Sequence, residues 1–162
     1  MMEEKNITLF TKHHILTRDE AHSRYEINLD NYSKVINIEA LTLLQMIRQN
    51  ILPAVSGYVK TLSETVVAKK QAVKDADCSM EETLIKRLSK QTADLYIETE
   101  ELENRVLVAK ENVDKQKQAE IYHDSVLSQM AIIRTIADDM EVYTPKQVWP
   151  FPSYGDLLFS IQ

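Results

Sequence analysis

A glutamate three residues before a histidine, Glu120-Ile121-Tyr122-His123, puts a carboxylate and an imidazole on one side of a helix. Carboxylate-bridged di-iron bundles share a metal by this spacing, but they need a second Glu-x-x-His and two further inward glutamates. The chain holds no second copy, so the pair reads as a solvated Glu and His near a helix start. Asp19-Glu20-Ala21-His22 spells the acidic motif with which a large helicase class holds a nucleotide's metal ion. That chemistry also requires a glycine-rich phosphate loop ending in Gly-Lys-Ser or Gly-Lys-Thr, and the two glycines, Gly57 and Gly155, form none. Asp19 and Glu20 are better explained as first-turn acids favoured by the helix dipole. His13 and His14 lack the spacing of a zinc site. Cys78 precedes a helix start but has no adjacent histidine or resolving cysteine, and reads as a loop cysteine without a catalytic role. No catalytic, cofactor-binding or metal residue is assigned.

The other unusual stretch is the tail, "VWPFPSYGDLLF", which collects the single tryptophan and two of the three phenylalanines. Trp149 and Phe151 each precede a proline, which pushes them toward extended backbone and predicts a segment strapped along a surface. Its apolar side chains, Trp149, Phe151, Tyr154, Leu157, Leu158, Phe159 and Ile161, are too many to leave in water. Packing onto the chain's own helices or docking on a neighbour would both cover them. The acidic run Glu98, Glu100, Glu101 and Glu103 is expected to be a solvated face, paired across a hairpin with Lys60.

The elements that must position these residues are helical. Residues 1–17 carry no sustained period, and Thr17-Arg18-Asp19-Glu20 fits a capping box. Short helices are predicted over about residues 17–27 and 30–35, with Asn37 capping a long helix that runs to about Val73. Pro53 lies inside it and predicts a kink with the helix continuing beyond. The stripe Val55, Val59, Leu62, Val66 and Val73 faces one way.

Turn formers in "DADCS" and a second capping box, Ser79-Met80-Glu81-Glu82, begin the next helix. Ile85, Leu88, Thr92, Leu95, Thr99, Leu102, Val106, Ala109 and Val113 form a heptad-like seam along it. An antiparallel partner folded back at the turn sets Ile38 beside about residue 118, where "DKQKQAE" interrupts the seam. A third helix is predicted over about residues 119–141, its stripe of Tyr122, Val126, Ile133, Ile136 and Met140 widened by Leu127, Met130 and Ile132. The fold class is all-α: an elongated antiparallel three-helix bundle with coiled-coil-like long helices, short N-terminal helices and an extended aromatic and proline tail. Its domains are residues 1–36, 37–143 and 144–162.

Composition narrows the function. A net charge of −6 argues against nucleic acid or anionic membrane as a partner. One cysteine forms no internal disulfide, and no leader or stretch of about 18 apolar residues is visible, so a cytoplasmic location is expected. The paired Met1-Met2 suggests an initiator placed before a fragment.

Several stretches together carry a resemblance. "RYEINLDNYSKVINIEALTLLQMIRQNILPAVSGYV", "YHDSVLSQMAIIRTIADDME" and "WPFPSYGDLLF" are similar to the C-terminal region of the type III glutamine synthetases, long bacterial enzymes that ligate ammonia to glutamate. The similarity spans about Lys5 to Phe159 and is strongest at "INIEA", "ILPAV" and the tail. It implies a parent that uses ATP and magnesium or manganese and assembles as stacked rings, with its catalytic machinery upstream. By that resemblance the chain is an inert fragment whose partners are the catalytic domain and the other subunits. A stand-alone coiled-coil adaptor remains the alternative.

Overall fold

The computed structural model describes residues 3–152 and 154–159, and among them every regular element is helical. In chain order these are α1 (Glu4–Lys12), α2 (Arg18–Met46), α3 (Leu52–Ala72), α4 (Ser79–Glu111), α5 (Lys115–Ile121), α6 (Leu127–Tyr143) and α7 (Tyr154–Phe159). A π-helical turn, Ile47–Ile51, carries α2 directly into α3, and another, Tyr122–Val126, carries α5 into α6. The chain divides into two compact units, Met1–Leu41 with Asn104–Ser128 and Thr42–Glu103 with Gln129–Gln162.

In the first unit, α1 lies where no period was readable, because only Ile7 is fully buried and one buried position cannot repeat. Glu4 in its first turn and Lys12 in its last match the helix dipole. The chain leaves it through His14, whose φ of 52° is left-handed. The Thr17 box forms as expected: the Thr17 amide donates to Glu20 Oε2 at 2.8 Å, and the Glu20 amide donates to Thr17 Oγ1 at 3.2 Å. The short helices predicted after it do not. A single helix runs from Arg18 to Met46, with Asn37 inside it. Asn28, Asp30, Asn31 and Asn37 are weak helix formers, but burial of Ala21, Ile36 and Ala40 on one face outweighs that local preference. Asn37 Oδ1 accepts a hydrogen bond from the Tyr122 hydroxyl at 3.3 Å instead of capping.

In the second unit, the helix continues past Pro53 as predicted. The proline ring would collide with the carbonyl of Gln49, four residues back, and Gln49 sits within the π-helical turn, where the ladder is widened. Side-chain bonds then set α3 and its π turn antiparallel to α4: Arg48 reaches Glu100 and Glu103, whereas Lys69 meets Glu81 and Lys70 meets Glu82. On another side of α4, Arg87 bonds Asp139 and Glu98 bonds Gln129 of α6, again antiparallel. Leu88, Leu95, Leu102, Val55, Ile133 and Met140 are buried.

The box predicted at Ser79 is replaced. Asp77 Oδ1 accepts from the Ser79 amide at 2.9 Å and from its hydroxyl at 2.5 Å, while Glu82 turns to Lys70 at 2.7 Å. A lysine within reach draws the Glu82 carboxylate away from the backbone amide. The far end of α4 lies at Glu111, just before "DKQKQAE", where the second long helix is expected to end or bend. Asp114 caps the next helix, accepting from the Gln116 and Lys117 amides. A cap at Asp114 starts that helix at Lys115, earlier than the predicted Ala119.

Candidate functional site

The seam on α4 puts Leu88, Leu95, Thr99, Leu102, Val106 and Ala109 out of solvent, with Ile85 and Thr92 half-buried. Val113 departs from it: the helix has ended, and the side chain is 92% exposed. The heptad count ran one step past the end of α4 at Glu111. On the facing stripe Tyr122, Val126, Ile133 and Met140 are buried, and Gln129 stands between Val126 and Ile133 at the same spacing. Its 1% exposure and its amide bonds to Glu98, at 3.0 Å to the carbonyl and 2.6 Å to Oε2, make it a polar tie inside the helix contact. A glutamine at a seam position is the signal that could have found it.

Glu98, Glu100 and Glu103 of the acidic run divide between two partners. Glu100 and Glu103 hold Arg48, with Nη2 at 2.8 Å from Glu100 Oε1 and 2.6 Å from Glu103 Oε2. Those bonds push the guanidinium up and hold the Glu103 carboxyl below its ordinary range. Glu98 bonds Gln129, and Lys60 meets Glu64 of its own helix at 3.7 Å rather than the run. A lysine one turn from a glutamate finds it locally. Arg87 and Asp139 form a second clamp. Arg87 Nη2 lies 3.0 and 2.8 Å from the two Asp139 oxygens, Gln91 also donates to that carboxylate, and the guanidinium stacks 3.9 Å from the Tyr143 ring centre. The Arg87 bond lowers the Asp139 carboxyl from its usual value.

In the tail, the Val148 and Trp149 amides bond the Pro145 carbonyl at 2.8 and 3.0 Å, making a turn. The extended strap expected over this segment is therefore a turn followed by α7. Trp149 and Phe151 are half-buried and meet edge to face at 6.5 Å between ring centres. Leu157, Leu158 and Phe159 of α7 are 63, 74 and 79% exposed. The Tyr154 side chain and Ile161 lie outside the described residues.

The chemistry-bearing pairs stay apart. Glu120 accepts from Gln116 at 3.0 Å, and His123 Nδ1 bonds Asp124 at 2.7 Å, both exposed. Among the described residues no three His, Cys, Asp or Glu side chains converge on a metal site. Cys78 is buried, with Sγ 3.6 Å from the Ala76 carbonyl. Among the described residues no helix is long and apolar enough to cross a membrane.

Residues 1–70, from α1 nearly to the end of α3, match the glutamine synthetase C-terminal domain. Over 99% of its length the chain is 35% identical to a glutamine synthetase of Butyrivibrio fibrisolvens. Residues 1–70 therefore fall within the glutamine synthetase C-terminal domain family, and the whole chain is similar to the C-terminal region of glutamine synthetases. A type-3 glutamine synthetase of Dictyostelium discoideum is 29% identical over 96% of the chain, and a glutamine synthetase of Bacteroides fragilis 23% over 90%. The chain spans 23, 22 and 21% of the lengths of these three glutamine synthetases, respectively. No solved structure matches it. Among the described residues the ATP and magnesium or manganese implied by the resemblance meet no matching donor set. Glu120 and His123 are engaged with near neighbours in sequence, and Gly57 lies within α3 rather than in a phosphate loop.

Proposed function

We propose that this chain serves as the helical C-terminal domain of a glutamine synthetase, an enzyme that joins ammonia to glutamate at the expense of ATP. In this reading it is non-catalytic and supplies architecture or subunit contacts in a cytoplasmic oligomer. The observation that carries the proposal is the match over 99% of the chain to only 23% of a synthetase. The antiparallel ties of α4 to α3 and to α6 support the finer reading of the fold, a three-helix bundle built to be rigid. The tail, with its exposed Leu157, Leu158 and Phe159, is the part offered to the catalytic domain or another subunit.

The test is deletion of this region from the complete synthetase of the host. Sedimentation of the shortened enzyme should show smaller assemblies, and the isolated chain should form no glutamine from glutamate, ammonia and ATP. ATP-dependent turnover by the isolated chain would overturn the non-catalytic reading. A native polypeptide no longer than this chain would favour the coiled-coil adaptor instead.

A further inference from the structure

Within the first compact unit, a cleft of about 200 Å³ is lined by Asp30, Ser33, Lys34 and Asn37 of α2, Lys110 of α4, and Lys115, Gln118 and Tyr122. Its charge does not balance. Asp30 is the single carboxylate of the lining, and two of the three lysines bond it, Lys115 at 2.7 Å and Lys34 at 2.5 Å. Those bonds lower the Asp30 carboxyl from its usual value, with Lys115 the larger cause, so it stays ionised at neutral pH. Lys110 is exposed and brings a third positive charge. The lining is left with an excess of two positive charges, in a chain whose net charge is −6.

Its hydrogen-bond donors are likewise in excess. Each ammonium carries three protons, so Lys34 and Lys115 keep donors after bonding Asp30. One Gln118 amide bond goes to the Ala109 carbonyl at 3.1 Å, and the second proton of that amide remains. Asn37 accepts from Tyr122 through its oxygen, which leaves its amide to donate. Ser33 is the second and independent sign. Its side chain is 97% buried, taking the complement of its 3% exposure, and its hydroxyl has no partner among the described residues. A buried hydroxyl left unbonded costs stability unless something fills its place.

We propose that this cleft binds a phosphoryl dianion, held by Lys34, Lys110 and Lys115 with Ser33 as a neutral donor on the buried wall. A dianion matches the excess of two charges, and a tetrahedral oxyanion offers enough acceptors for lysines on three separate segments. The site lies apart from any metal chemistry and does not depend on the glutamine synthetase reading.

The experiment is a titration of the full 162-residue chain with inorganic phosphate, followed by amide chemical shifts, against sodium chloride at equal ionic strength. Saturable shifts confined to residues 30–37 and 110–122 are expected. Lys110→Gln removes a charge that bonds no carboxylate of the lining, so the fold should be kept while the affinity falls roughly tenfold. Ser33→Ala should weaken binding severalfold, and Lys60→Gln, far along the sequence, should leave it unchanged. Shifts no larger than those with chloride would overturn the proposal. So would a Lys110→Gln protein that titrates like the parent, or tighter saturation of the same residues by succinate, which would assign the cleft to carboxylates.

Discussion

The seam of α4 and the tail helix α7 are both rich in leucine, yet water treats them differently. Leu88, Leu95 and Leu102 have no exposure, whereas Leu157, Leu158 and Phe159 keep most of theirs. The seam repeats its apolar residues over many turns, and Leu88, Leu95, Leu102, Val106 and Ala109 all lie out of solvent. The tail gathers three large apolar side chains into a helix of six residues, too short to bury a face by itself. Apolar content gives a segment the potential to be buried, and length with periodicity decides whether its own domain can do the burying.

Four variants break or sharpen that contrast. Leu95→Ala should cost the most, about 2–5 kcal/mol by cavity formation, read as a fall in the urea midpoint; an unchanged midpoint would mean that the seam does not hold the helices together. Thr17→Ala removes the cap of α2 and should cost about 1 kcal/mol in the same measurement. The effect of Asp139→Asn is smaller and depends on pH. Because the folded carboxyl is lowered, its contribution is complete above the ordinary aspartate range and disappears as pH falls through the lowered value. The parent should therefore lose its thermal advantage over the variant as pH falls below the ordinary aspartate value of about 4; a difference that stays constant as the pH falls would remove the charge from the explanation. The triple change of Leu157, Leu158 and Phe159 to serine should alter stability by no more than about 0.5 kcal/mol. A large loss would place α7 in the core after all.

The polar ties show why some of the site was legible and some was not. Thr17 and Glu20 complete their box with each other, so three residues of spacing were enough to foresee it. Ser79 and Glu82 have the same spacing, but Asp77 stands two residues before and Lys70 faces from α3, and both outcompete the local arrangement. Gln129 reads as polar and solvated from its type, although it falls in step with Val126 and Ile133. The second π-helical turn, Tyr122–Val126, has no proline near it and no mark in the sequence. At the first, Pro53 pointed to a kink with the helix continuing, and not to a π-helical turn.

The sequence by itself determined an all-helical chain, the cap at Thr17, the passage of the helix beyond Pro53 and the kinship with glutamine synthetase C-terminal domains. Each rests on residues near one another along the chain or on the string of residues itself, where backbone stereochemistry, side-chain spacing and likeness act without reference to the rest of the molecule. Only the tertiary structure decided that α2 is unbroken from Arg18 to Met46, that Arg48 is held by Glu100 and Glu103, and that three lysines share a cleft with one aspartate. Those outcomes depend on burial and charge contacts between residues far apart in sequence, which exceed local helix preferences of a few tenths of a kcal/mol per residue, roughly.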